Sequence, residues 1–230
     1  MINNLRVTVL VENTVRNSQL LGQHGLALWI EADNHKVLFD TGRAEALARN
    51  AARLNVPLEE ADSLVLSHGH YDHTGGLELL LRLGVRTDAY FHPAALRPKF
   101  AQVDGCKSAY VGMSEAGRTA LRIQSRESIE TCEPTQVAEG IYLTGEIPRR
   151  TEYEDNGGAF FLDEACTSPD PLLDDQALYI ETPAGLVVVL GCAHAGVVNT
   201  LDYIADLTGK KKIHAVLGGN APATCRYSTP

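Results

Sequence analysis

The segment Ser67-His68-Gly69-His70-Tyr71-Asp72-His73-Thr74-Gly75-Gly76 concentrates the reactive chemistry of the chain. Three of its eight histidines and an aspartate fall within six residues. Alternation along an extended loop sends His68 and His70 to the same side. A tight turn at Asp72-His73 then swings two further donors toward the same pocket. Imidazole nitrogen and carboxylate oxygen, with no thiolate in the cluster, suit zinc first and iron or manganese next. Gly75-Gly76 allows a close backbone turn into the following element. The competing reading is a solvated polar loop; an H-x-H-x-D-H run directly behind an apolar strand weighs against it.

The elements that must position this loop are legible on either side of it. Apolar patterning predicts strands over 5–11, 26–32 and 36–39, the last two forming a hairpin that turns at Asp33-Asn34. A helix over 43–54 presents Ala44, Leu47, Ala48 and Ala51 on one face and is stopped by Pro57. A short buried strand over 63–66 runs straight into the histidine loop. A helix over 75–83 and a strand over 87–92 follow. Residues 93–139 have little periodicity and predict a helix, loops and short strands. Strands return over 140–144, 159–162, 177–181 and 186–190, the last two as a second hairpin around Pro183-Ala184-Gly185. A helix over 196–207 and a strand over 213–217 close the pattern. Strands leading both halves, with helices between them, fit an α/β chain whose helices pack outside mixed sheets better than a purely parallel doubly wound sheet.

Composition narrows the functional classes. At 230 residues, with 44% hydrophobic and 21% charged, the chain can bury a full core and is neither disordered nor collagen-like. A net charge of -9 opposes nucleic acid as the main partner, since phosphate binding needs a basic field. The longest apolar run, 185–193, falls far short of the ~20 residues of a spanning helix. The stretch 7–11 is broken by Glu12 and lacks the core and cleavage site of a signal peptide. The expectation is therefore no membrane and a cytoplasmic location. The five cysteines (106, 132, 166, 192, 225) form no C-x-x-C pair and read as free thiols. No repeat or linker divides the chain, so one domain over 1–230 is expected.

The H-x-H-x-D-H loop, with Asp40 ending the strand Val37-Leu38-Phe39-Asp40-Thr41-Gly42, resembles the metallo-β-lactamase-fold superfamily. The resemblance implies a four-layer αββα sandwich of two mixed sheets with outer helices. It also implies one or two divalent metal ions. His68, His70 and the later His194 would hold the first, Asp72 and His73 would hold the second, and Asp40 would support the site from behind. Within that superfamily the chain resembles one branch, the 7,8-dihydropterin-6-methyl-4-(ribofuranosyl)-aminobenzene-5′-phosphate synthases and their uncharacterised bacterial relatives. The matching pieces are Val11-Glu12-Asn13-Thr14, His24-Gly25-Leu26, Leu143-Thr144-Gly145-Glu146-Ile147-Pro148-Arg149, Asp174-Asp175-Gln176-Ala177-Leu178 and Gly191-Cys192-Ala193-His194-Ala195-Gly196-Val197-Val198-Asn199-Thr200, in that order.

Around this set, His24 lies in a loop that reaches toward the metal pocket. Asp175 reads as a capping or ligand-orienting carboxylate. Arg149 reads either as a fork for an anionic substrate group or as a paired structural arginine. Cys192 reads as a small buried apolar residue rather than a thiolate. His35 and His214 read as surface residues, and His92-Pro93 also matches the branch. The sequence departs from the branch in Gly218-Gly219-Asn220-Ala221-Pro222, where Ala221 stands at the position of a histidine. The chain then stops at Pro230, so a shortened C-terminal end with an atypical tail over 220–230 is expected, and a homo-oligomer is one means of covering it.

The expected activity is metal-dependent hydrolysis. A metal-bound hydroxide attacks an ester, lactone or phosphoester-type small molecule, which the branch name would make a phosphorylated and hence anionic pterin precursor. Asp72 is the expected catalytic carboxylate, a metal ligand that can also orient the nucleophile or shuttle its proton. The alternative is a degenerate, non-catalytic member that binds metal or ligand, motivated by the altered end. An iron-dependent redox member of the fold is a third possibility.

Overall fold

The computed structural model describes residues 1–103, 107–155, 157–209 and 212–219. In chain order the strands and α-helices are β1 (Leu5–Val11), β2 (Ala27–Ala32), β3 (His35–Phe39), β4 (Gly42–Arg43), α1 (Ala44–Leu54), β5 (Ser63–Val65), α2 (Tyr71–Thr74), α3 (Leu77–Arg82), β6 (Thr87–Phe91), β7 (Phe100–Val103), β8 (Lys107–Tyr110), α4 (Glu115–Gln124), β9 (Ser125–Glu130), β10 (Thr135–Ala138), β11 (Ile141–Leu143), β12 (Phe160–Phe161), β13 (Leu178–Thr182), β14 (Gly185–Leu190), α5 (Val197–Thr208) and β15 (Ile213–Gly218).

Two mixed sheets carry the fold. The first has the order β1-β2-β3-β5-β6-β9, with β1, β2 and β3 antiparallel and β3, β5, β6 and β9 parallel. The second has the order β10-β11-β13-β14-β15, antiparallel except for the parallel β14/β15 pair. A strand's side chains alternate between faces, and here both faces are covered. Leu28, Ile30, Val37, Phe39 and Val65 of the first sheet meet Ile141, Leu178, Ile180, Val187 and Val189 of the second. Trp29, Leu38 and Leu64 turn the other way, onto Leu47, Leu80 and Leu121 of α1, α3 and α4. Tyr179, Leu186, Val188 and Leu190 turn outward onto Ile204 of α5. The layers are therefore αββα. Double coverage also explains why the buried strands read as nearly continuous apolar runs.

Three local readings are corrected. The buried face of α1 is Ala46, Leu47, Asn50 and Ala51, rotated from the face expected of Ala44 and Ala48. Asn50 is polar and invisible to an apolar count, yet its amide donates to the carbonyls of Leu10 and Leu21, and its oxygen accepts from Leu21 N–H. The tight turn expected at Asp72-His73 is a helical turn, α2, and the following helix begins only at Leu77. Strands β7, β8 and β12 form a separate three-stranded sheet. Ala221 and the rest of 220–230 lie outside the described residues. Among the described residues no helix is long and apolar enough to cross a membrane.

Candidate metal centre

The site is assembled from loops leaving β3, β5 and β14. Asp40 follows β3 with φ 57, a left-handed conformation that aspartate tolerates better than most residues. Its buried carboxylate lies beneath the histidine loop. Oδ1 accepts the Ser67 N–H at 2.7 Å, and Oδ2 accepts the Ser67 hydroxyl at 2.7 Å and His73 Nδ1 at 2.7 Å. These bonds set two tautomers. The single hydroxyl hydrogen of Ser67 goes to Asp40, so its oxygen accepts from His68 Nδ1 at 2.9 Å. His68 thus carries its hydrogen on Nδ1 and turns a bare Nε2 inward, as an imidazole ligand requires, and His73 donates through Nδ1 so that Nε2 is the nitrogen an ion would meet.

The rings of His68, His70 and His194 lie edge to edge, with centroids 4.6, 4.9 and 5.0 Å apart. His68 Nε2 is 2.9 Å from His70 Nδ1. Tetrahedral zinc with Zn–N of ~2.0–2.1 Å separates its nitrogens by about 3.3 Å, so a small adjustment admits an ion. His70 is buried, and its other nitrogen, Nε2, has no hydrogen-bond partner. Burial, reinforced by neighbouring rings, holds the pKa values of His68 and His70 well below the ordinary value, keeping both neutral.

Asp72 and His73 sit on α2, with Asp72 Oδ2 3.4 Å from His73 Nε2. Burial opposes ionisation of Asp72, but the hydrogen bond and charge of His73 outweigh it and lower its pKa. Burial likewise opposes a charged His73, and Cys192 and Asp40 outweigh it, raising that pKa well above the ordinary range. Cys192, read from sequence as a packing residue, stands among these donors. Its Sγ is 3.1 Å from His73 Nε2. Ligand atoms of His68, Cys192 and His194 lie within 4.8 Å of one another, and so do those of Asp72, His73 and Cys192. Burial pushes the thiol pKa up, but His73 and His194 more than reverse this, so the net shift is downward. Neutral His68 and His70, an ionised carboxylate and an acidified thiol are forms in which side chains bind a divalent cation, whereas His73 must give up its extra proton to join them; the donor types fit such an ion.

The segment Asp174-Asp175-Gln176 clamps the loops. Asp174 Oδ2 accepts the N–H of Gly69, between the two histidines, at 2.8 Å, and its Oδ1 accepts from the fully buried Lys99 at 2.8 Å. Asp175 Oδ2 accepts the N–H of Ala195 at 2.8 Å, and Gln176 donates to the Leu66 carbonyl at 2.9 Å. Lys99 also bonds Asp170 Oδ2 at 2.8 Å. Lys99 carries no signal in the sequence, and Asp174 enters there only within the piece Asp174-Asp175-Gln176-Ala177-Leu178. Arg149 lies behind the site, donating to the carbonyls of His194 at 2.6 Å and Pro171 at 3.0 Å. Glycines permit the close approaches: a Cβ on Gly191 would sit 2.2 Å from Ser67 Oγ, and one on Gly69 would sit 2.2 Å from the Ala95 carbonyl.

The site opens into a cavity of about 460 Å³, lined further by Glu12, Asn13, His24, Tyr71, Val111 and Phe160. His24 is largely exposed at its mouth, with Nδ1 3.5 Å from Asp72 Oδ2. Phe160 packs its ring against His70 and His194, with centroids 4.8 and 5.3 Å away. Outside the site, His214 is exposed, whereas His35 is half-buried with Nε2 2.9 Å from Ser63 Oγ. A separate group, His92, Cys132 and Glu146, is also compact. There His92 Nδ1 accepts the Ala94 N–H, so Nε2 carries the hydrogen toward Glu146 and offers no lone pair.

A family model described as the metallo-beta-lactamase superfamily matches residues 21–207. The chain is 28% identical, over 95% of its length and 78% of the relative's, to the 7,8-dihydropterin-6-methyl-4-(beta-D-ribofuranosyl)-aminobenzene-5'-phosphate synthase of Methanocaldococcus jannaschii. It is 32% identical, over 93% of its length and 78% of the relative's, to an uncharacterized protein of the same organism. Among solved structures, Tm1679, a metal-dependent hydrolase of the beta-lactamase superfamily, superposes with a TM-score of 0.77 at 29% identity, covering 94% of this chain and 76% of that one. The fold, the loop positions and these matches agree: the chain belongs to the metallo-beta-lactamase superfamily.

Proposed function

We propose that the chain is a metal-dependent hydrolase of a small-molecule ester or lactone, with zinc as its working metal. The observation that carries this reading is the convergence of His70, His194, Asp72 and His73 at the wall of one cavity, with His68 packed edge to edge behind His70 and His194. A bound divalent ion supplies Lewis-acid polarisation and lowers the pKa of water from about 15.7 toward 7. The protein's own residues do the rest. Asp40 holds His68 and His73 in the required tautomers. Asp72 Oδ2 accepts the proton of the attacking water, and His24 Nδ1, 3.5 Å away at the mouth, passes it to solvent. Phe160 supplies an apolar wall that excludes water from one side of the scissile group.

Phe160 and Val111 give the cavity apolar walls, which suit an uncharged ester or lactone. The phosphorylated compound suggested by the name of the Methanocaldococcus jannaschii relative is the second substrate class. Metal analysis of the purified protein and hydrolysis of an ester, lactone and phosphodiester panel, before and after chelation and zinc add-back, test the proposal. Chelation-sensitive turnover restored by zinc is expected. A fully metallated sample inert on every class would overturn the enzyme reading in favour of a non-catalytic metal-binding protein, and absence of bound metal would overturn both.

A further inference from the structure

Cys192 is the residue common to both compact donor groups, since its Sγ lies with His68 and His194 on one side and with Asp72 and His73 on the other. We propose that Cys192 is a metal ligand shared by the two groups, a thiolate that joins what would otherwise be two separate sites. The inference rests on the metal-dependent reading above and adds a ligand to it.

Backbone geometry supports the placement. Gly191 seats against Ser67, where any side chain would collide with the hydroxyl. Ala193 then takes a left-handed φ of 54. A non-glycine residue in that conformation carries strain that surrounding structure must hold in place. The result is that Cys192 and His194, two residues apart, both line the cavity. The separation of Sγ from His73 Nε2, 3.1 Å, is close to the ~3.5 Å between sulfur and nitrogen around one tetrahedral zinc with Zn–S of ~2.3 Å. His70, buried and with Nε2 unpartnered, lines the same cavity, so the pocket already holds polar groups that the protein leaves incompletely satisfied. The competing role for Cys192 is a thiol hydrogen-bonded to His73, present only to pack. A ligand and a packing thiol differ in metal preference: sulfur favours zinc and cobalt over manganese and magnesium.

The test uses the whole chain loaded with cobalt(II) or zinc. The expected result is a near-ultraviolet thiolate-to-cobalt absorption band in the wild type. The band is lost in Cys192→Ala and Cys192→Ser and kept in Cys132→Ser and Cys166→Ser. Zinc affinity in Cys192→Ala should fall by more than ~100-fold, beyond the 10–100-fold typical of groups that only support a ligand. Because Cys192→Ala could fail to fold, a second measurement uses the wild type alone. Stoichiometric zinc should slow alkylation of Cys192, mapped by mass spectrometry, at least tenfold, and leave the exposed Cys132 unaffected. Cobalt bound without the band, a band that survives Cys192→Ala, or alkylation of Cys192 unchanged by bound zinc would each overturn the shared-ligand assignment while leaving the hydrolase reading intact. A wild type that binds neither metal would overturn both.

Discussion

Lys99→Met is the most informative stability probe, because the group it removes is buried between two carboxylates. The Lys99 ammonium has no exposed surface and bonds Asp170 and Asp174 at 2.8 Å each. Methionine preserves most of the stem volume and deletes only the charge, leaving two buried carboxylates facing each other. Removing one partner of a buried ionic group costs about 3–5 kcal/mol, since the remaining charge cannot be solvated. For a chain of this size each kcal/mol moves Tm by ~2–4 °C, so a fall of about 6–20 °C is expected. Asp174 also holds the Gly69 N–H, so zinc affinity should fall along with stability. The control is Lys36→Met, which breaks the exposed pair with Glu60 and should cost far less. Urea unfolding with an unchanged m-value measures both. If Lys99→Met costs no more than Lys36→Met, the view that the triad braces the histidine loop is refuted.

Asp40→Asn should weaken zinc binding by roughly 10–100-fold in a chelator competition, because the amide has one acceptor oxygen for the three donors that the two carboxylate oxygens now take, and its NH2 would face a donor. Gly69→Ala drives a methyl group to 2.2 Å from the Ala95 carbonyl and should cost about 1–3 kcal/mol in urea unfolding, with loss of metal affinity. Gln124→Met should stabilise the chain by about 1–2 kcal/mol and raise Tm in calorimetry, because both amide atoms of Gln124 are buried without partners.

The histidine loop, the Asp40 turn and nearly every strand of the two large sheets are readable from sequence because they rest on local patterns. Spacing of donors marks the first, and continuous apolar runs such as those of β5 and β14 mark the last. What is not readable depends on distant partners. Lys99 meets Asp174 across 75 residues, so each looks like an ordinary surface charge until the chain is folded. Asn50 satisfies three backbone groups and hides inside a face that an apolar count assigns to alanines. Cys192 looks like a packing residue in the sequence, and only the folded chain sets it beside His73. Of the small sheet, β12 lies inside the strand expected over 159–162, while β7 and β8 escape because their stretch of sequence has little periodicity.

The contact between His73 and Cys192 joins positions 119 residues apart, one on a loop of each large sheet. A link of that span acts on the denatured chain more than on the native one. In the loop-entropy picture a covalent closure of about 100 residues removes freedom worth ~4–5 kcal/mol from the unfolded ensemble. Any ion held in common by the two halves would act as a reversible cross-link of this kind. Cellular metal supply would then set the lifetime of the fold as well as its chemistry, and a starved chain would be the first to reach the proteases.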